Sequence, residues 1–253
     1  MIHNKKISLI VPCKNEANII AGFILRVPKY VDEIIIVDNN STDNSKAIAK
    51  KAGAIVLSEP RHIGGIGYGF AHMTGMAKAT GDYIVGMDGD DTYPVKKIKS
   101  IIKLMESKKY DVISCNRLPL KNAKAISPIR RLGINLLNAE VQWLFGYKIR
   151  DILTGMWVLR RDALPKINPT KGDWNLSIEM KLNAITNRAI RFSEYHINHF
   201  ERKGNPSKQN LLKTGVTHSV FIVVMWVKYL GKLITQLYQT IQKPESAVKY
   251  RNI

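Results

Sequence analysis

The chain has 253 residues, 45% hydrophobic and 23% charged, which is the make-up of a globular protein and excludes disorder as its main state. A mean hydropathy of -0.13 and the absence of any run of 18 apolar residues exclude a multi-span membrane protein. A formal charge of +19, from 39 Lys and Arg against 20 Asp and Glu, favours anionic partners: nucleic acid, acidic lipid or phosphorylated small molecules.

Residues 7–13 form an apolar run that predicts a strand, and 16–27 reads as a helix. A second strand is expected at 31–39 and a helix at 42–51, opened by Ser41 or Thr42 as a cap. A third strand follows at 54–59, and the stretch 62–79 starts Gly-rich and becomes helical. Next come a strand at 83–87, a helix at 94–107 with proline near its start, and a strand at 111–116. Continuous apolar strands between helices predict an α/β fold, with an open, mostly parallel sheet sandwiched by helices. Ligands of such a sheet bind at the carboxyl ends of its strands. The second half is less regular: helix 129–145, strand 157–161, helix 176–186, strand 190–197 and a polar loop over 202–209. Residues 211–241 then read as one long helix or two, which divides the chain into a domain at 1–210 and a helical tail at 211–253.

Positive charge is concentrated in two places. Residues 95–131 hold 11 Lys and Arg against Glu106 and Asp111, and residues 202–253 hold nine against Glu245. A surface charged only for solubility would be more even. The two cysteines, Cys13 and Cys115, are far apart, which argues against a zinc site or a disulfide scaffold. Ile7–Val11 is too short for a signal peptide and is ended by Pro12, Lys14 and Glu16.

The strand at 83–87 runs into Met-Asp-Gly-Asp-Asp-Thr-Tyr-Pro. Asp88 and Asp90, two positions apart at a strand end, can share a hard cation, and Mg²⁺ or Mn²⁺ takes oxygen ligands while leaving positions for substrate phosphates. The glycine and glutamate positions of a calcium-binding EF-hand are missing. Pro12, Asn15 and Glu16 follow the first strand, and Asp38 ends the second, where a carboxylate can accept from a base or ribose. Asp43 reads as a first-turn helix acid. The glycines at 64, 65, 67 and 69 fit no phosphate-loop pattern, and their expected role is to permit a loop and tight packing.

VPCKNEANI, VDNNSTDNS, the Gly-rich segment and MDGDDTYP resemble inverting glycosyltransferases of family 2, which implies a GT-A fold. Ser114–Arg117, Arg130-Arg131-Leu132-Gly133, Asp151–Gly155, and Glu194 followed by Arg202, Gly204 and Lys208 are similar to the dolichyl-phosphate mannose synthase branch. The resemblance covers roughly residues 5–210. It implies a nucleotide-sugar donor, a polyprenyl phosphate acceptor and Mg²⁺ or Mn²⁺ at Asp88 and Asp90. It puts Pro12, Asn15, Glu16, Asp38 and Asp88 at the donor, and Arg117, Arg130, Arg131, Asp151, Thr154 and Lys208 at the acceptor phosphate. With Asp88 and Asp90, it makes Arg117, Arg131 and Arg202 catalytic. The chain departs from the pattern with Asn39-Asn40 after Asp38, Thr92 in place of Gln, an added Pro206, and His196 and His199.

A phosphate monoester with a second pKa of about 6 is already anionic near neutral pH, so the nucleophilic oxygen needs cations rather than a base. A sugar-hydroxyl acceptor is the alternative, with Glu179 as its possible base. A nucleic-acid-binding protein is the remote one, and no zinc, helix-turn-helix or RNP signature supports specific nucleic-acid binding. In the tail, 219–227 is apolar but only nine residues long, and Lys228 and Lys232 follow it. That favours a helix lying in a membrane interface over one that spans. The expected setting is peripheral, on an acidic cytoplasmic leaflet, with 211–241 as the membrane, subunit or homo-oligomer contact, or else packed against the catalytic domain.

Overall fold

A computed structural model describes residues 5–202 and 210–241. Seven strands form one sheet, in the order β3-β2-β1-β4-β6-β5-β7. They are β1 Ile7–Cys13, β2 Glu33–Asp38, β3 Ile55–Ser58, β4 Tyr83–Gly86, β5 Val112–Asn116, β6 Trp157–Arg160 and β7 Phe192–His196. β1 pairs in parallel with β2 and β4, β2 with β3, and β5 with β7. β6 runs antiparallel between β4 and β5. The sheet is therefore mixed at one position, and the other six strands point their carboxyl ends to the same edge.

The helices are α1 Ile20–Arg26, α2 Ser45–Lys51, α3 Tyr68–Lys78, α4 Ile98–Lys108, α5 Pro128–Phe145, α6 Leu164–Ile167, α7 Leu176–Thr186 and α8 Leu211–Ile241. Strand side chains alternate between faces. Leu9, Val11 and Ile36 pack with α1, α2 and α4, while Ile10, Ile35 and Val37 pack with α3, α6 and α7. Both faces are thus covered, which is why the strands read as unbroken apolar runs.

Boundaries moved where local chemistry competes with periodicity. α1 starts at Ile20 because Glu16 to Ile19 form a turn in which the Glu16 carbonyl accepts from Ile19 and Ile20. The helix expected at 42–51 starts at Ser45, with Asn44 rather than Ser41 or Thr42 at the N-cap position and no side-chain cap hydrogen bond. Asp43 accepts from the Ser45 N–H at 3.0 Å, and Ser41 Oγ accepts from Asn15 N–H at 2.9 Å instead.

A third apolar cluster joins Leu137 and Val141 of α5, Ile178 and Leu182 of α7, and Phe221 and Ile222 of α8. The first half of α8 therefore packs on α5 and α7. α8 is continuous for 31 residues, and its 18-residue apolar window has a mean hydropathy of 1.5 and is 11% buried. Length alone does not exclude a span, because the helix runs on past the nine apolar residues at 219–227. It is long and apolar enough to anchor the protein to a membrane.

Candidate active site

The carboxyl ends of β1, β2, β4 and β5 open into a cleft of about 820 Å³. Pro12, Asn15 and Glu16 line it from β1, Asn39 from β2, Asp88 and Asp90 from β4, and Arg117 from β5. Asn15, Asn40 and Asp91 adopt positive φ of 55°, 56° and 63° in these loops, a conformation that Asn and Asp tolerate better than most residues. The glycine run forms the turn beside them. A Cβ on Gly67 would lie 2.4 Å from the Asn39 Oδ1, so only glycine lets that loop close on the second strand end. Close packing is seen at Gly67 and Gly69, whereas Gly64 and Gly65 supply positive φ to the turn.

Asp90 is buried and accepts from the Thr92 N–H at 3.1 Å and the Thr92 hydroxyl at 2.6 Å. Thr92 therefore serves Asp90 rather than a ligand directly. Arg202 donates to the other Asp90 oxygen at 2.8 Å. Asp88 is pushed up to about 7 by burial and then by the Asp90 charge, against the pull of Arg202 and Arg117. Tyr68, on the first turn of α3, donates its hydroxyl to Asp88.

Two neighbouring carboxylates, one of them raised to about 7, are a site short of positive charge. Their oxygen-only donor set fits a hard divalent cation. Among the described residues no third His, Cys, Asp or Glu completes a metal cluster, so the remaining ligands would be water and substrate phosphate. Removing the Arg202 charge should have two opposite results. Mn²⁺ should bind the protein tighter by calorimetry, because Arg202 no longer shares Asp90, while catalysis should fall.

Arg117 is held by Asp151. Its backbone N–H, Nε and Nη2 donate to that carboxylate at 3.1, 2.6 and 2.9 Å. Asp151 is fully buried, and Arg117 keeps its carboxyl below the usual range in spite of burial. Asp151 lies outside the cleft lining, and its carboxylate is turned to the arginine. Thr154 is also buried outside the cleft lining, and its Oγ1 accepts from the Met156 N–H.

The arginine pair on α5 divides. Arg130 lines the cleft, whereas Arg131 lines a separate depression with Leu118, Pro119 and Arg150. One residue step turns a helix by 100°, which aims adjacent side chains in different directions. Glu179 also lies outside the cleft lining. Its carboxylate accepts from Thr170 N–H, Thr170 hydroxyl and Lys171 N–H at 2.7, 2.5 and 2.8 Å, away from the cleft. Asp38 is buried outside the lining, with one oxygen that has no partner among the described residues. Lys208 lies outside the described residues.

Several lining residues carried no readable signal. Tyr93, Trp174, His199 and His218 all face the cleft. His199 stacks edge-on against Tyr93 at 5.0 Å, and burial pulls it down to about 3, so it is neutral at physiological pH. Beyond the arginines the cleft walls turn apolar: Ile129, Leu132 and Leu136 of α5 face Leu211, Leu212 and Val216 of α8. All six are at least 39% exposed.

The profile of glycosyl transferase family 2 matches residues 8–167. The chain belongs to that family. It is a glycosyltransferase, and the expected GT-A fold is what the sheet and its helices form. A dolichyl-phosphate hexose transferase of Haloferax volcanii is 29% identical over 202 residues, 78% of this chain and 84% of that protein. The low-salt glycan biosynthesis hexosyltransferase Agl6 of the same organism is 27% identical over 231 residues, 88% of this chain. The chain spans 54% of Agl6, about half its length. Among solved structures, glucosyl-3-phosphoglycerate synthase of Mycobacterium tuberculosis with UDP superimposes with a TM-score of 0.68 at 19% identity, covering 90% of this chain and 81% of that one. The same enzyme has been crystallised with Mn²⁺, UDP and glucosyl-3-phosphoglycerate.

Proposed function

We propose that this chain transfers a hexosyl group from a nucleoside-diphosphate sugar to the phosphate of a polyprenyl phosphate. One observation carries the reading: a cationic floor of Arg117, Arg130 and Arg202 opens outward between apolar walls of α5 and α8. Charge next to grease suits an acceptor with a phosphate head and a hydrocarbon tail. A relative named dolichyl-phosphate hexose transferase supports the same acceptor class.

In the reaction an acceptor phosphate oxygen attacks the anomeric carbon. The bond from that carbon to the donor diphosphate breaks, and the nucleoside diphosphate leaves. The anion attacks without a base, which agrees with the sequestration of Glu179. Asp88 and Asp90 would hold Mg²⁺ or Mn²⁺, which neutralises charge on the leaving diphosphate. A neighbour crystallised with Mn²⁺ and UDP supports that cofactor. Pro12, Asn15, Glu16 and Asn39 form the donor end, and the unpartnered Asp38 oxygen lies close behind it in sequence. Arg117 is fixed by Asp151 before substrate arrives, so little ordering remains at the acceptor phosphate. Arg130 and Arg202 add charge at the mouth.

The same surfaces support a membrane setting. Phe221 and Ile222 tie α8 to the protein, so the helix lies along it and offers Val220, Val223, Val224 and Val227 outward. Lys228 and Lys232 can meet acidic headgroups at about 1 kcal/mol each. The reading is a peripheral enzyme on an anionic cytoplasmic leaflet.

The test is a donor screen with polyprenyl phosphate and Mn²⁺ or Mg²⁺, read as glycolipid formed. Polyprenol without phosphate should be inert, and Arg117→Met should slow transfer far more than it weakens Mn²⁺ binding. Equal use of polyprenol, or transfer only to a small phosphorylated acceptor, would refute the acceptor assignment.

A further inference from the structure

Residues 150–155 cross the protein without regular structure, and Asp151, Ile152 and Thr154 are buried. Buried backbone groups need partners. Side chains from other elements supply them here. Glu194 of β7 accepts from the N–H of Arg150 at 3.0 Å and of Asp151 at 3.3 Å. Asn138 of α5 donates to the Arg150 carbonyl at 2.7 Å and accepts from the Ile152 N–H at 2.9 Å. Lys181 of α7 donates to the carbonyls of Ile152 and Thr154, both at 2.9 Å, and to that of Ser177 at 3.0 Å.

Lys181 is 2% exposed and does not line the cleft. Its three carbonyl partners match the three N–H groups of an ammonium, so the contact set is complete only in the charged form. Burial pulls the group down to about 7, while Asp151 and Glu194 hold it up. A lysine is an expensive way to fill a core position beside α7's Ile178 and Leu182. It stands where one side chain ties α7 to the loop that carries Asp151.

We infer that Lys181 is a positioning residue for the transfer reaction: by gripping the carbonyls on the C-terminal side of Asp151 it fixes that carboxylate, and through it the Arg117 guanidinium in the cleft. This rests on the reading of Arg117 as the acceptor-phosphate contact. Lys181 touches neither donor nor acceptor. Its loss frees the loop, and Arg117 then samples orientations that do not meet the phosphate.

The test uses the full-length protein. Lys181→Met keeps the length of the stem and removes the charge and all three donors. Hydrogen exchange at the Arg117 Nε–H, assigned by its disappearance in Arg117→Lys, reports the ion pair without any substrate. In Lys181→Met that exchange should quicken, and KM for polyprenyl phosphate should rise about tenfold, the scale of an outer partner's loss. Mn²⁺ binding should be largely kept. Because Lys181 acts through Arg117, adding Lys181→Met to Arg117→Lys should cost little more than Arg117→Lys alone. Lys181→Gln retains two donors and should fall between; it replaces Lys181→Met in every comparison if the latter does not fold. Unchanged Arg117 exchange, or additive losses in the double variant, would make Lys181 a core residue only and overturn the inference. If the wild-type protein transfers nothing to polyprenyl phosphate while the exchange result holds, the acceptor reading fails and the positioning of Arg117 by Lys181 stands.

Discussion

Asp90→Asn and Asp88→Asn should each reduce transfer by about 10³-fold, the several kcal/mol that a cation supplies to a leaving diphosphate. Chelator in excess should do the same to the unaltered protein. The pair also predicts a pH signature. Asp88 is raised to about 7 by burial and then by Asp90. An acid whose folded pKa lies above its unfolded value favours the fold most when it is neutral. Cation-free protein therefore has its full Asp88 contribution below about pH 4, loses it between about 4 and 7, and loses no more above. A divalent cation binds the ionised pair, so its stabilisation grows across the same window. The rise in melting temperature on adding Mn²⁺ should be small at pH 5 and large at pH 8. Asp88→Asn should stabilise the cation-free protein at pH 8 and abolish most of the Mn²⁺ effect. Full turnover in excess chelator, or a Mn²⁺ effect equal at both pH values, would remove the metal from Asp88 and Asp90.

The strand-end chemistry was legible because it is local. Asp88 and Asp90 are two residues apart after an apolar strand, and the chain's alternation of strands and helices placed that strand end at a ligand edge. The strand β6 was expected, but its antiparallel insertion between β4 and β5 was not. Trp157–Arg160 is as apolar as its parallel neighbours, since both its faces are buried, so pattern alone gives no direction. Several side-chain contacts around the cleft depend on the folded chain rather than on spacing in sequence. Asp151 becomes the holder of Arg117 across 34 residues. Glu179 is used up by Thr170 and Lys171 in a turn before its own helix. Arg130 and Arg131 differ only in the direction each takes from α5, which is fixed once the helix is placed. His199 and Tyr93 meet only in the folded chain. The spacing in sequence holds none of this.

Removing residues 211–253 should unfold the protein rather than merely release it from membranes. The sequence alone presents this stretch as a tail that can be detached at 210. In the fold, Phe221 and Ile222 are 8% and 0% exposed and close the cluster of Leu137, Val141, Ile178 and Leu182. Burying two such side chains contributes about 3–6 kcal/mol, a large part of the roughly 5–15 kcal/mol that holds a domain together. Their loss also bares the opposing residues. His218 Nδ1 and the Asn175 side chain share a hydrogen bond at 2.8 Å, and the Ser219 hydroxyl donates to Glu140 at 3.1 Å, so polar ties go with the apolar ones. The cleft would lose the wall made by Leu211, Leu212 and Val216. A chain ended after Tyr229 keeps all of these contacts, along with the Phe145–Tyr229 ring contact at 5.9 Å. It loses the exposed Ile234, Leu237 and Tyr238 together with the charges of Lys232, Lys243, Glu245, Lys249 and Arg251. That shorter chain should melt cooperatively near the temperature of the full protein, glycosylate a short, water-soluble polyprenyl phosphate, and float less on anionic liposomes. The chain ended at 210 should show neither cooperative melting nor transfer. A folded, active 1–210 fragment would mean that α8 is an appendage and that the acceptor groove has only one wall.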